Sequence, residues 1–316
     1  MAQAKGVKAQ LLGALEESTY NADPTPTTTM VNLPINSSAI RGSQNINPPA
    51  TLRNNRNPVQ PFLGNVSIGG EVVVPVDLVN MGHWLKMLLG DPETSGAEAP
   101  YTHVFKPAEA LSSWVFEQGY TDIGKYQKFN GCKIKSLSIA FGGDQELTAR
   151  IEILGGKETL ATSSLDSEPT VETFTRFNQF QASVSEGGSP VATVKEVELT
   201  ISNELDEDTY VIGGGGIRGS LPEELCQVSG RIKAMFEDWT LYQKAVNGTE
   251  SSLAVTLTNG SYSLVFSVPE LLYSRNAPGI ETPGGVWLDS RFQGYYDNNA
   301  DEAVVKVTLI NAKDAY

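Results

Sequence analysis

Residues 132–157 constrain the fold more than any other stretch, because they form two alternating patterns around a glycine turn. In the second half, apolar residues occupy every other position: Leu147, Ala149, Ile151 and Ile153. The first half alternates in the same way up to Phe141, and Gly142 and Gly143 can then adopt the positive φ angles of a tight connection. A period of two places one side of each strand on a core and the other in water. We expect an antiparallel hairpin with one buried and one solvated face.

Composition excludes several classes of protein. At 316 residues, 40% of them hydrophobic, the chain can bury a large core. A formal net charge of −14 argues against an ordinary nucleic-acid-binding surface, which would be basic. We expect neither a signal peptide nor a membrane span, because no apolar run is long enough. Cys132 and Cys226 have no metal-ligand spacing and are expected to be buried thiols, with a disulfide between them as the alternative.

Taken in order, the chain favours strands joined by turns. The N-terminal part predicts a short helix at 11–16 and a strand at 30–35, and a polar, turn-rich loop follows at 36–61. A loop of that length is either ordered by a partner or disordered, and both alternatives stay open. Further strands are predicted at 66–76, 101–105, 114–120, 174–184 and 194–202. Between the first two of these, Asp77 is expected to cap a helix at 78–89 that carries Trp84 in its core-facing side.

The second half of the sequence repeats the order of the first. A strand at 228–236 precedes a short helix that begins at Asp238, just as the strand at 66–76 precedes the helix after Asp77. Strands at 252–257 and 262–268, turned by Asn259 and Gly260, follow, and strands at 286–295 and 303–310 close the chain. This order predicts one strand–helix–strands unit used twice.

No pattern of residues predicts an enzyme, a cofactor or a metal site. His83 and His103 are the only histidines and lie in no catalytic or zinc motif. Residues 214–219 match GxGxxG, but Pro222 follows where a dinucleotide site needs a helix, so a flexible glycine loop is expected. The acidic run 203–208 lacks the EF-hand order and is expected to be a solvated loop, with incidental binding of a divalent ion as the alternative.

Several ordered segments resemble one family, the tail tube proteins (major tail proteins) of long-tailed bacteriophages. The similar segments are ALEESTYNADPTPTT, GNVSIGGEVVVPVDLVNMGHWLKMLLGDP, YTHVFKPAEALSSWVFEQGY with NGCKIKSLSIAF, VKEVELTISNEL and the C-terminal VVKVTLINA. The resemblance covers nearly the whole chain and rests on the order of these segments, not on a single motif. A separate immunoglobulin-like decoration domain, which some relatives carry, is not found.

The resemblance implies a mainly β fold, sandwich-like or barrel-like, with antiparallel sheets and short flanking helices. It further implies a structural virion protein whose copies form stacked rings around a channel for genome DNA, which passes without specific binding. The partners would be the chain itself and other tail proteins (tape measure, tail tip, terminator). The chain would assemble in the host cytoplasm and reside in the virion tail. The family's usual ring has six subunits, and a repeat within the chain would allow three chains to form a pseudo-six-fold ring.

The expected organisation has four parts: an N-terminal segment with the long loop at 1–61, a first tube-like domain at 62–160, a linker at 161–190 and a second tube-like domain at 191–316. The solvated faces of the long strands would line the channel, and the candidates are Lys133, Lys135, Glu146, Thr148, Arg150, Glu152, Glu196 and Glu198. Candidates for contacts between subunits are the residues of the most basic part of the long loop: Arg53, Asn54, Asn55 and Arg56.

Two other functions compete with a tail tube. A β-sandwich that binds carbohydrate or a cell surface would need exposed aromatic side chains, and the candidates are Trp287, Phe292, Tyr295 and Tyr296. An enzyme with an unrecognised site is the third. The strongly acidic composition is compatible with a conduit, because it repels DNA phosphates, but the predicted solvated faces carry both signs of charge.

Overall fold

The computed structural model describes residues 3–16, 19–25, 29–280 and 283–316. Within these residues the chain is mainly β. The strands of the first half are β1 (Ala9–Leu15), β2 (Val31–Asn32), β3 (Ser37–Ser38), β4 (Arg41–Asn47), β5 (Phe62–Pro75), β6 (Glu93–Ser95), β7 (Tyr101–Phe105), β8 (Trp114–Tyr120), β9 (Lys125–Phe141), β10 (Thr148–Gly155) and β11 (Lys157–Ala161). The later strands are β12 (Thr170–Val171), β13 (Ala182–Glu186), β14 (Ser189–Pro190), β15 (Val194–Ser202), β16 (Gln227–Met235), β17 (Ser251–Asn259), β18 (Tyr262–Tyr273), β19 (Trp287–Gly294) and β20 (Lys306–Asn311). The helices are α1 (Asn80–Leu89) and α2 (Thr240–Asn247).

One long antiparallel sheet, here called the main sheet, runs through both halves in the order β4–β5–β10–β9–β15–β16–β19. β9, 17 residues long, belongs to two sheets. Its C-terminal half pairs with β10 and β15 in the main sheet, and its N-terminal half pairs with β8 and β11. Apolar side chains from both sheets and from α1 form one shared core.

The hairpin predicted at 132–157 is confirmed as β9 and β10, with Ile151 opposite Leu137 and both side chains buried. Trp84 is buried as predicted and stacks on Phe116 of β8. The helix predicted at 78–89 begins at Asn80 and its N-cap is Val79, not Asp77, but the Asp77 carboxylate accepts the Met81 N–H of the first turn at 2.9 Å. Cys132 and Cys226 are free thiols as predicted, but only Cys132 is fully buried and Cys226 is half-buried.

Three predictions about local structure are wrong. The expected helix at 11–16 is instead the end of β1, which is paired with β8 on one edge and β2 on the other. The expected loop at 36–61 contains β3 and β4, both paired with β5. The expected strand at 174–184 is a loop and a short 3₁₀ turn, and β13 begins only at Ala182. In the first two cases pairing with a strand distant in sequence outweighs local propensity. In the third, the stretch bonds instead to the connection between β5 and α1, since the Leu78 N–H donates to the Thr175 carbonyl and the Phe177 N–H to the Val76 carbonyl.

The pairings of β1, β4, β5, β8, β9, β10 and β11 recur among later strands. The pairs β1–β8, β4–β5, β5–β10, β8–β9, β9–β10 and β9–β11 are antiparallel. So are the pairs β13–β17, β15–β16, β16–β19, β17–β18, β18–β19 and β18–β20, in the same order along the chain. One element breaks the match: the β6–β7 hairpin separates α1 from β8, whereas α2 is followed closely by β17.

Candidate assembly surface

One face of the main sheet is solvated and densely polar, and we call it the polar face. Directly opposed residues of antiparallel strands project to the same side, so the register identifies its members. Thr148, Arg150 and Glu152 of β10 project beside Glu71 of β5, since Glu152 is opposite Glu71. Further members lie on the strands that follow: Ser136, Ser138, Glu196, Glu198, Thr200, Ser229, Arg231, Lys233, Asp289, Arg291 and Gln293.

Charges of both signs alternate across the polar face. Arg231 is the centre of the largest group, with its guanidinium 2.9 Å from the carboxylate of Asp289 and 3.0 Å from that of Glu198. Arg150 pairs with Glu71 at 3.0 Å in the same way. These pairs are partly exposed and each stabilises the fold little, by about 1 kcal/mol or less. Their effect on the electrostatic potential of the surface matters more, because carboxylates and cations in similar number leave no strong potential of one sign.

Five of the eight channel-lining candidates project from this face, namely Thr148, Arg150, Glu152, Glu196 and Glu198. Lys135 joins them because a β-bulge at this point inserts one extra residue into β9 and directs its ammonium to Glu152 and Glu207. The hydrogen bond to Glu207 raises the pKa of Lys135. Glu146 lies beyond the start of β10, where it pairs with Arg176 at 2.9 Å.

Lys133 is separated from the solvated surface, although the alternating pattern predicted otherwise. Its ammonium forms an ion pair with Glu223 beneath the segment 203–226, and its side chain is only 12% exposed. Burial raises the pKa of the Glu223 carboxyl, but the hydrogen bond and charge of Lys133 and the backbone N–H donors, Leu111 among them, together lower it further, so the net shift is downward. Leu205 and Leu221 of the same segment pack on Leu154, so this segment is a cover over one end of the main sheet.

Arg218, which sequence analysis did not single out, attaches that cover to the main sheet. Its buried guanidinium donates to the carbonyl oxygens of Glu207, Ile68 and Gly155 at 2.9–3.0 Å, and to Ser67 Oγ at 3.1 Å. Five N–H donors in a rigid fork suit such a set of acceptors. The glycine loop predicted at 214–219 is therefore tied to β5 and β10 through its one arginine. The only signal in the sequence was an arginine among glycines in an acidic protein.

The other chemical candidates have structural roles. His83 and His103 both make edge-on contacts with the Tyr316 ring, with centroids 5.1 and 4.9 Å away. Burial lowers the pKa of His83 to about 4, so its 3.4 Å contact with Glu172 is a hydrogen bond of a neutral ring near pH 7 and not a salt bridge. Residues 214–219 are followed by β16 and not by a helix, so the structure provides no dinucleotide site there.

The predicted subunit-contact residues occupy an exposed loop between β4 and β5. Arg53, Asn54, Asn55 and Arg56 are exposed, and the loop is held by its own bonds, such as Arg53 Nη2 to the Pro58 carbonyl at 3.2 Å. Apolar side chains flank it on both sides and are also exposed: Ile46, Leu52, Phe62 and Leu63.

The aromatic residues named for a carbohydrate-binding face do not form one. Phe292 is buried beside Gly230, where it packs on Tyr273. Tyr295 donates its hydroxyl to Glu250 at 2.6 Å, and that hydrogen bond raises its pKa to about 12. Only Tyr296 is substantially exposed. The four side chains therefore offer no shared aromatic platform.

These features describe a mainly β protein with an extended polar sheet face and an exposed polar loop flanked by apolar side chains. The family model for the phage tail tube protein matches residues 6–294, so the chain belongs to that family. Tail tube proteins are structural and not enzymatic, and the chain is a component of the virion tail. None of the curated proteins compared with the chain matches it. In the part of the chain that the structure describes, no helix is long and apolar enough to cross a membrane.

Proposed function

We propose that copies of this chain associate into rings, that the rings stack into a hollow tube, and that genome DNA passes through the tube into the host. Membership of the tail tube family over residues 6–294 carries this proposal. The other tail proteins named above (tape measure, tail tip and terminator) would contact the ends or the channel of that tube. The DNA would pass without specific binding.

We propose further that each chain contributes two tube units, so that three chains form a pseudo-six-fold ring. The duplicated set of strand pairings supports this. The domain boundaries 62–160 and 191–316, with a linker at 161–190, stay a prediction. The pairings associate β1 and β4 of the N-terminal segment with the first unit, and β13 of the linker with the second.

In this assembly the polar face would line the channel, with Glu146 at its border and Lys133 beneath the cover segment. Small hydroxyls and balanced ion pairs would leave DNA phosphates without a continuous cationic track. The net charge of −14 belongs to the whole chain, so long-range repulsion would come mainly from other surfaces. The loop with Arg53 and Arg56, together with its exposed apolar flank, would contact a neighbouring or stacked subunit.

Electron microscopy and mass measurement of the purified protein over a series of concentrations and salt conditions test the assembly. We expect rings of three chains and, at higher concentration, hollow tubes. Rings of six chains would contradict the two-unit proposal alone. A protein that stays monomeric under all conditions, alone and with tail-tip proteins, would contradict the tube itself.

A labelling experiment tests which face lines the channel. A cysteine at Glu198, in a Cys226→Ser background, is biotinylated before assembly and then probed with streptavidin. We expect streptavidin to bind the unassembled protein but not the walls of tubes, because the bulky probe is kept out of the channel. Asp122→Cys, at the exposed turn between β8 and β9, is the control for a position off this face. Tubes decorated along their whole length at position 198 would contradict the proposal.

A further inference from the structure

The two halves of the chain match in detail beyond the order of their strands. In β8–β9 the register shifts between Trp114 and Phe116, and in β17–β18 it shifts at the same place, between Ser251 and Leu253. After β5 the Val76 N–H donates to the Leu147 carbonyl, and after β16 the Phe236 N–H donates to the Val286 carbonyl. Such irregularities do not follow from a general β architecture, so they establish which residues correspond.

A pair of glycines extends the correspondence to β4 and β15. A Cβ at Gly70 of β5 would overlap the carbonyl oxygen of Ala39, and a Cβ at Gly230 of β16 would overlap that of Glu198. The strand that includes β3 and β4 therefore approaches β5 as closely as β15 approaches β16. Since Gly70 corresponds to Gly230, the residue whose carbonyl faces Gly70, Ala39, corresponds to the residue whose carbonyl faces Gly230, Glu198. Two residues further on, Arg41 corresponds to Thr200.

The halves are joined by one pairing in the main sheet, between β9 and β15. Thr200 lies opposite Ser138 there, and their hydroxyls form a hydrogen bond of 2.9 Å. Each of these two strands has a counterpart in the other half. β9 corresponds to β18 and the residues that follow it, and β15 corresponds to β3 and β4. Within the described residues, neither counterpart has a strand on its outer edge.

Residues 274–276, which follow β18, run in extended conformation beside β19 and form the outer edge of the main sheet there. The Ser274 N–H donates to the Arg291 carbonyl at 2.8 Å, and the Asn276 side chain donates to the Asp289 carbonyl at 2.7 Å. Arg275, between them, turns to the other side of the sheet and donates to the Tyr242 hydroxyl of α2. Asn276 is therefore beside Asp289 on the polar face, as Ser138 is beside Arg150 in the first half.

We infer that residues 38–43 of one chain pair, antiparallel, with residues 274–279 of a second copy, with Arg41 opposite Asn276. This inference rests on the proposed ring and specifies its junction. The proposed pairing between two chains has the same register as the pairing between β15 and β9 within one chain. Because every main sheet would then continue into the next, the assembly would leave no open edge in the sheet, which is the usual protection against unspecific strand addition.

The junction between chains would be weaker than the one within a chain. The core-facing side of β15 carries Val197, Leu199 and Ile201, all buried. The corresponding residues of the first half are Ser38, Ile40 and Gly42, which offer less apolar surface. We expect rings to dissociate into intact single chains on dilution, without loss of the pairing between β9 and β15.

Disulfide trapping tests the register. The variant carries Arg41→Cys and Asn276→Cys in the Cys226→Ser background and is oxidised under conditions where rings form. We expect covalent dimers and closed trimers on non-reducing gels, and covalent dimers also when the two single-cysteine variants are mixed. A control pair displaced by two residues, Arg41→Cys with Ser274→Cys, should cross-link at least tenfold less.

A second variant tests the edge without relying on disulfide geometry. Ala277→Pro removes one N–H from the outer edge, where the residue is exposed, and Ala277→Val keeps it. We expect the proline variant to lose rings while its thermal unfolding stays that of the parent, and the valine variant to keep them. Rings that form without cross-links at 41 and 276, or that tolerate the proline, would overturn this register and leave the tube intact. Absence of rings in the parent would overturn both proposals.

Discussion

Arg218 offers the sharpest test of how this fold is held together. We expect Arg218→Met, which keeps the apolar stem, to remove four hydrogen bonds, two of them to the carbonyls of Ile68 and Gly155 in the main sheet. Each bond to a charged group contributes about 1.5–3 kcal/mol in isolation. Since all four come from one side chain, and water can enter beneath the loosened cover, the bonds are not additive. Leaving a buried acceptor short of a donor typically costs about 1–3 kcal/mol, and for this set of acceptors we expect a total loss of about 4 kcal/mol.

Urea unfolding of the unassembled protein measures this loss, and limited proteolysis locates it. We expect the variant to be cut within residues 206–217, where the parent resists. Arg218→Lys keeps the charge but not the planar fork, so it should recover only one bond, or about 1.5–3 kcal/mol. A loss below about 1 kcal/mol for the methionine variant, with no new cleavage, would refute the role of this side chain as the attachment of the cover.

Two further predictions concern single positions. Burial lowers the pKa of His83 from 6.5 to about 4, so unfolding takes up a proton in this pH window. The free energy of unfolding therefore falls as the pH falls from 6.5 to 4, by about 3 kcal/mol at most. Urea unfolding at several pH values should show a weaker pH dependence of stability for His83→Gln, and an equal pH dependence in the variant and the parent would contradict this. Gly230→Ala places a Cβ against the Glu198 carbonyl and the Phe292 ring, so thermal unfolding should show a loss of about 1–3 kcal/mol. Gly285→Ala, which has no neighbour within 4 Å, is its control, and equal losses would contradict the argument.

The strands that the sequence predicted well are those whose pattern is local. β10 and β15 alternate between a buried and a solvated face, so their period of two is visible in any short window. β1 has no such pattern, because Leu11 and Leu12 are both buried. With alanine and leucine frequent, its composition favours a helix, and only the distant strand β8 makes it a strand.

For the polar face too, only the features that depend on a local pattern could be predicted from the sequence. Alternation located Arg150 and Glu198 on a solvated face, but it could not anticipate the β-bulge near Lys135 or the cover above Lys133. Both depend on residues far along the chain. Arg218 was missed for the same reason, since two of its acceptors are carbonyls of Ile68 and Gly155, which carry no signature of their own in the sequence.

The β6–β7 hairpin has no counterpart after α2, and this has an evolutionary consequence. When identical single units build a structure, an insertion in one gene appears at every position. Here the two halves share a chain but not a sequence, so each can change without the other. β7 pairs with β20 of the opposite half, so the two halves depend on each other for their edges. In the proposed two-unit chain, such a pairing turns two interchangeable units into one indivisible protein.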